Sequence, residues 1–120
     1  MGTPPRPGWW YERARQRRGL LDAGVERLHA TLRSYPGYRN VLIFGSYARG
    51  DVGPSSDLDV LAIVDSSERQ SRSEFRVREH IGAIGVPYDL VVLTTEQFER
   101  LRERSFFRQA LREGRWLDAA

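Results

Sequence analysis

Two carboxylates one residue apart, Asp57 and Asp59, bracket the start of the apolar run LDVLAIV at residues 58–64. A buried strand is a costly place for ionised acids, since a charge removed from water must be paired or neutralised. Alternate residues of a strand face one side, so the pair points together with Cα atoms about 6.5–7 Å apart. Two carboxylates aimed at one spot repel, by roughly 4 kcal/mol at 4 Å and an effective dielectric near 20. Hard divalent cations remove that repulsion, and oxygen ligands are what magnesium prefers. Two such ions about 3.5–4 Å apart activate an attacking oxygen and stabilise a leaving one. The competing reading places the pair at an exposed strand end, capped by Ser55 and Ser56.

The residues around the pair sharpen this chemistry. Gly45 and Ser46 follow directly on the apolar run Val41–Phe44 and stand ten residues before Asp57. A glycine there admits a positive φ or a close approach to a ligand. Ser46 adds a hydroxyl, and the following YARG can begin a helical turn whose free N–H groups face an anion. A third acid, Asp89, lies inside the strand-like PYDLVVL. It is either the third metal ligand or an edge-strand aspartate facing water. A calcium loop does not fit, because Leu61 stands where a further ligand is needed and the glycine is missing. A glycosyltransferase with its own Asp-x-Asp metal site generally needs a much longer chain.

These groups must be carried by a scaffold, and the pattern predicts an α/β (α+β) domain with a small mixed sheet and helices packed on it. Leu21, Val25, Leu28 and Leu32 recur as one helical stripe within an expected helix from Trp9 to about Arg33. Gly19 and Gly24 are expected to weaken it, or to break it after RARQRR. Strands are expected at 41–44, 58–64 and 86–93, the second central because it is apolar on both faces. A helix is expected over about 72–83. Thr94 and Gln97 have capping-box spacing for another, running to about Arg104. SFFRQALREG reads as a short helix that Gly114 stops, before an edge strand at Trp116 and Leu117.

Length and composition bound the rest. The chain has 120 residues, no cysteine and a net charge of +3, which is one domain without disulfides. Residues 1–8, with three prolines and two glycines, read as a loose tail before a single domain over 9–120. No apolar run is long enough for a membrane span, and a cytoplasmic location is the default expectation. All nineteen basic residues are arginine, which excludes lysine nucleophiles and Schiff bases. Residues 1–39 hold eight arginines against three acids, whereas residues 40–65 hold one against four. An acidic centre beside a basic arm suits metal cations and an anionic partner, without requiring nucleic acid. Trp9, Trp10 and Tyr11 are expected to anchor the first helix rather than form a contact patch. His29 and His80 lack ligand spacing and read as structural or exposed, and arginines 100, 102, 104 and 108 as a solvated face.

The run Gly45-Ser46, ten residues, Asp57-Leu58-Asp59 resembles the signature of the nucleotidyltransferase superfamily related to DNA polymerase beta. The GSYARG form and small size are most similar to its minimal nucleotidyltransferases, the partners of HEPN toxins in toxin–antitoxin pairs. The similarity covers about residues 20–117. It implies that Asp57 and Asp59 are the metal-binding pair and Asp89 the third carboxylate, which activates the attacking hydroxyl. It further implies that Gly45 and Ser46 hold the triphosphate, with Arg49 either touching phosphate or bracing the loop. The implied reaction moves a nucleoside monophosphate, AMP from ATP, to a hydroxyl with two Mg2+ ions. The implied acceptor is a tyrosine of a HEPN-type partner protein, with a small molecule as second choice. A non-catalytic antitoxin or scaffold acting by contact is the rival reading, and a homo-oligomer is compatible with any of these.

Overall fold

The computed structural model describes Gly2 and residues 4–119. In order, the elements are α1 (Gly8–Leu32), β1 (Tyr38–Phe44), α2 (Gly45–Arg49), β2 (Leu58–Val64), α3 (Gln70–Ile81), β3 (Tyr88–Leu93), α4 (Thr95–Leu101), α5 (Ser105–Glu113) and β4 (Arg115–Trp116). Of the expected tail over 1–8, residues 1 and 3 lie outside the described residues, and Gly8 already belongs to α1. Among the described residues no helix is long and apolar enough to cross a membrane.

The strands form one mixed sheet in the order β3-β2-β1-β4. β2 runs antiparallel to β1 and parallel to β3, so it is central as its two-sided apolar sequence requires. Helices cover both faces. Val60, Ala62 and Val64 pack with Leu28 of α1 and Val77 of α3, while Leu61 and Ile63 pack with Phe98 of α4 and Ala110 of α5. β1 starts at Tyr38 rather than Val41, because its pairing with β2 continues past a bulge to Tyr38 opposite Val64.

The first helix spans the expected stretch without the break that Gly19 and Gly24 could have made. Leu21, Leu28 and Leu32 are fully buried, each worth about 1.5–3 kcal/mol of transfer free energy. That exceeds the cost of about 1 kcal/mol for each helical glycine. Gly24 also has a packing role: a Cβ there would come 2.9 Å from Val86 Cγ2. The expected anchoring by aromatics holds for Trp10, whose ring lies against Gly53. Trp9 and Tyr11 are 57% and 52% exposed, since a single loop meets the first turn.

The C-terminal half follows its local signals. Thr94 Oγ1 accepts the Gln97 N–H at 3.1 Å and Gln97 Oε1 accepts the Thr94 N–H at 2.9 Å, the expected reciprocal cap of α4. Gly114 ends α5 for a steric reason. A Cβ there would lie 2.9 Å from Leu42 Cδ1 and 3.0 Å from the Ile43 carbonyl oxygen. His29 bonds Asp118 at 2.9 Å and His80 bonds the Thr31 carbonyl at 3.0 Å, both structural roles.

Candidate active site

The end of β1 and the beginnings of β2 and β3 meet at one edge of the sheet. There Asp59 stands opposite Phe44 on one side and Asp89 on the other. Parallel partners in register share a face, so Asp59 and Asp89 both belong to the face that carries α4 and α5. Asp59 is half-buried, whereas Asp57 and Asp89 are exposed. The edge-strand alternative for Asp89 is met as well: β3 is an edge strand and Asp89 is exposed, while its register places it beside Asp59.

Gly45 makes the turn that brings the loop onto this edge. Its φ is +76°, and a Cβ would fall 1.9 Å from Asp59 Oδ2. No other residue fits both the backbone and the space. It also opens the five-residue, one-turn helix α2, which Gly50 closes in the left-handed conformation. The YARG turn expected from sequence is therefore a helical turn, with half-buried Ser46 in its first residues.

The electrostatics identify Asp59 as the strained member. Burial pushes its carboxyl above the ordinary range, and the Asp89 and Asp57 charges push the same way. Arg49 opposes them, and Glu113 adds to them. Arg49 itself bonds Asp51 through Nε at 3.1 Å and Glu113 through Nη1 at 3.1 Å. Arg49 thereby ties the loop after α2 to the end of α5.

Two residues at this edge escaped the sequence reading. Glu113 is a fourth carboxylate beside Asp59, and it stands sixty-four positions from the arginine it pairs with. Arg17 of α1 donates through Nε to the Ser56 carbonyl at 2.7 Å and through Nη2 to Asp57 Oδ1 at 3.1 Å. Neither lies in a motif, and no local pattern marks them.

The donor set suits a hard cation: oxygen ligands only, with one carboxylate held unfavourably charged by its neighbours. As placed, however, no three acidic, histidine or cysteine side chains among the described residues are gathered to hold an ion. One oxygen of Asp57 is taken by Arg17. Gathering the carboxylates needs side-chain rotation, which exposed residues such as Asp57 and Asp89 make in picoseconds to nanoseconds.

Comparison with known proteins identifies the family and the fold. The nucleotidyltransferase domain family matches residues 25–117. No curated protein matches the chain as a sequence relative. Among similar solved structures is a Sulfolobus solfataricus protein described as a nucleotidyltransferase. It is 26% identical, with a TM-score of 0.50, over 82% of this chain and 85% of that one. Two mutant forms of the toxin–antitoxin complex MntA–HpeT are 21% and 18% identical, with TM-scores of 0.54 and 0.51. Each covers 80% of this chain, and the chain covers 72% and 70% of theirs. At that identity they speak for the fold.

Proposed function

Since the chain belongs to the nucleotidyltransferase domain family, we propose that it transfers AMP from ATP to a hydroxyl group, with Asp57, Asp59 and Asp89 as the reacting acids. The observation that carries this reading is the in-register pair Asp59 and Asp89 beside the positive-φ turn at Gly45. The carboxylates of Asp57, Asp59 and Asp89 would hold two Mg2+ ions. When bound, those ions supply Lewis-acid activation of the acceptor hydroxyl and neutralise charge on the departing pyrophosphate.

The chain's own groups divide the remaining work. Gly45 lets the backbone approach the triphosphate, and Ser46 with the first N–H groups of α2 orients the β- and γ-phosphates. Asp89 receives the proton of the attacking hydroxyl. The hydroxyl oxygen bonds to the α-phosphorus as the bond to pyrophosphate breaks, so AMP is transferred and pyrophosphate leaves. Arg49, placed beside the same turn, is the cation available to a phosphate once it lets go of Glu113. The acceptor in this reading is a tyrosine of a HEPN-type partner protein, which modification silences. The fold likeness to the MntA–HpeT complexes supports that choice.

The experiment is incubation with ATP, Mg2+ and a co-purified HEPN-type protein, using label at the α- or the γ-phosphate. Label from the α-phosphate alone on a tyrosine of the partner, lost in Asp57→Asn, is the expected result. Label on nothing, for wild type and Asp57→Asn alike, would overturn the transferase reading in favour of an antitoxin acting by contact.

A further inference from the structure

We infer that the first turns of α1 and the loop before Asp57 form a seat for an acidic, hydroxyl-bearing segment of a partner protein. The inference deepens the acceptor reading above and rests on it. Residues 8–24 precede the region that the family matches, which begins at residue 25. The helix side of the seat thus lies before the matched region and its loop side within it.

A groove of about 650 Å3 lies between the helix and the loop, lined by Trp9, Trp10 and Arg13 on one side and Gly53–Ser56 on the other. That volume falls within the range of ordinary binding clefts. Exposed tryptophan beside arginine is the composition of interface anchors, the indole burying a large rigid surface at small entropic cost. The arginines are held in place: Arg13 lies 5.3 Å from the Trp9 ring centre and Arg6 lies 5.0 Å from that of Trp10. The acid at the groove, Asp51, already accepts a hydrogen bond from Arg49. The loop wall from Gly53 to Ser56 carries no charge. Asp51 on the loop side is held by Arg49. Arg13 in the groove and Arg6 above Trp10 have no ion pair among the described residues, so the free charge beside the groove is positive and suits an anionic occupant.

The groove also leads to the chemistry. Arg17 follows Arg13 by one helical turn and so shares its face. It grips the Ser56 carbonyl and the Asp57 carboxylate together. A segment lying along Ser56 thus arrives at the first acid of the site. A peptide with separated acids suits this seat better than a nucleic acid strand. A phosphodiester backbone needs cations along its whole track, whereas here one wall is neutral and Arg15 is paired with Glu12 at 2.7 Å.

The test is binding of a fluorescent random copolymer of glutamate and tyrosine to the full chain, without nucleotide or metal, followed by anisotropy. Trp9 and Arg13 are exposed, so Trp9→Ala and Arg13→Gln probe the groove without touching the core. Each should weaken binding about tenfold or more, raised salt should weaken it further, and Arg100→Gln on α4 should bind as wild type. Three results would overturn the inference: no binding of the copolymer, equal loss in Arg100→Gln, or tighter binding of an oligothymidylate through the same two residues. Because neither ATP nor metal is present, failure of the transfer reaction leaves this readout standing, and failure here leaves the transfer assay standing.

Discussion

Asp59 and Asp89 face each other in register across two parallel strands that are otherwise almost wholly apolar. Each strand keeps a carboxylate where a valine or leucine would pack, and the Asp89 charge helps hold Asp59 above the ordinary carboxylate range. Such an arrangement costs stability in the folded protein.

Asp59→Asn should abolish transfer, by roughly 10³-fold for a loss of about 4 kcal/mol of transition-state stabilisation. Its effect on stability has the opposite sign. An acid whose folded pKa is raised costs stability while ionised, and the cost fades as pH falls through that pKa. In chelator at neutral pH the variant should therefore melt at the same temperature as wild type or higher. A clear fall in Tm would mark Asp59 as structural.

Gly45→Ala should lose both activity and stability. The added methyl falls on the Asp59 carboxylate and the backbone stays at positive φ, a combination costing about 1–3 kcal/mol. Denaturant midpoints and the transfer assay would read the two losses separately.

Glu113→Gln should lower the pKa of Asp59, since it removes a neighbouring negative charge and frees Arg49. Carbon-detected NMR titration of the side-chain carboxyls is the measurement. An unmoved or higher Asp59 titration would remove Glu113 from the site.

Gly19→Ala and Gly24→Ala should behave differently although both glycines lie inside α1. Nothing lies within 4 Å of a Cβ at Gly19, so alanine there should stabilise by about 0.5–1 kcal/mol. At Gly24 the methyl meets Val86 at 2.9 Å, and the gain should vanish or reverse. Thermal melts of the two variants settle it.

Asp118 fastens the C-terminus to the start of β1 by accepting from Tyr38 and bonding His29. Its carboxyl is held below the usual range by the Tyr38 hydrogen bond first and His29 next. A depressed acid contributes stability above its unfolded pKa of about 3.9 and loses it as pH falls through the lower folded value. Asp118→Asn should accordingly lower Tm by a few degrees at pH 6, for about 1 kcal/mol. The gap to wild type should narrow as pH falls below the unfolded value and close once pH is below the lower folded one.

Much of this architecture was legible because it rests on local rules. The two-sided apolar run at Leu58–Val64 made β2 central, Thr94 with Gln97 capped α4, and Gly114 stopped α5. The closeness of Gly45 to Asp59 was legible for the same reason: the residues lie near in sequence and their spacing is geometric. Local rules left a break in α1 open, and burial of Leu21, Leu28 and Leu32 prevailed over glycine propensity there. They misjudged Trp9 and Tyr11, whose exposure depends on how much of the molecule reaches the first turn.

The sequence by itself determined the class of fold and which glycine must turn the chain beside Asp59. Only the tertiary structure decided that Asp89 lies in register with Asp59, that Glu113 brings a fourth charge, and that Arg17 takes one oxygen of Asp57. The division has a physical cause. Propensity, period and turn chemistry act over a few residues and can be read along the chain. Strand register and ion pairing are set by the packing of segments distant in sequence, and that packing is a property of the whole fold.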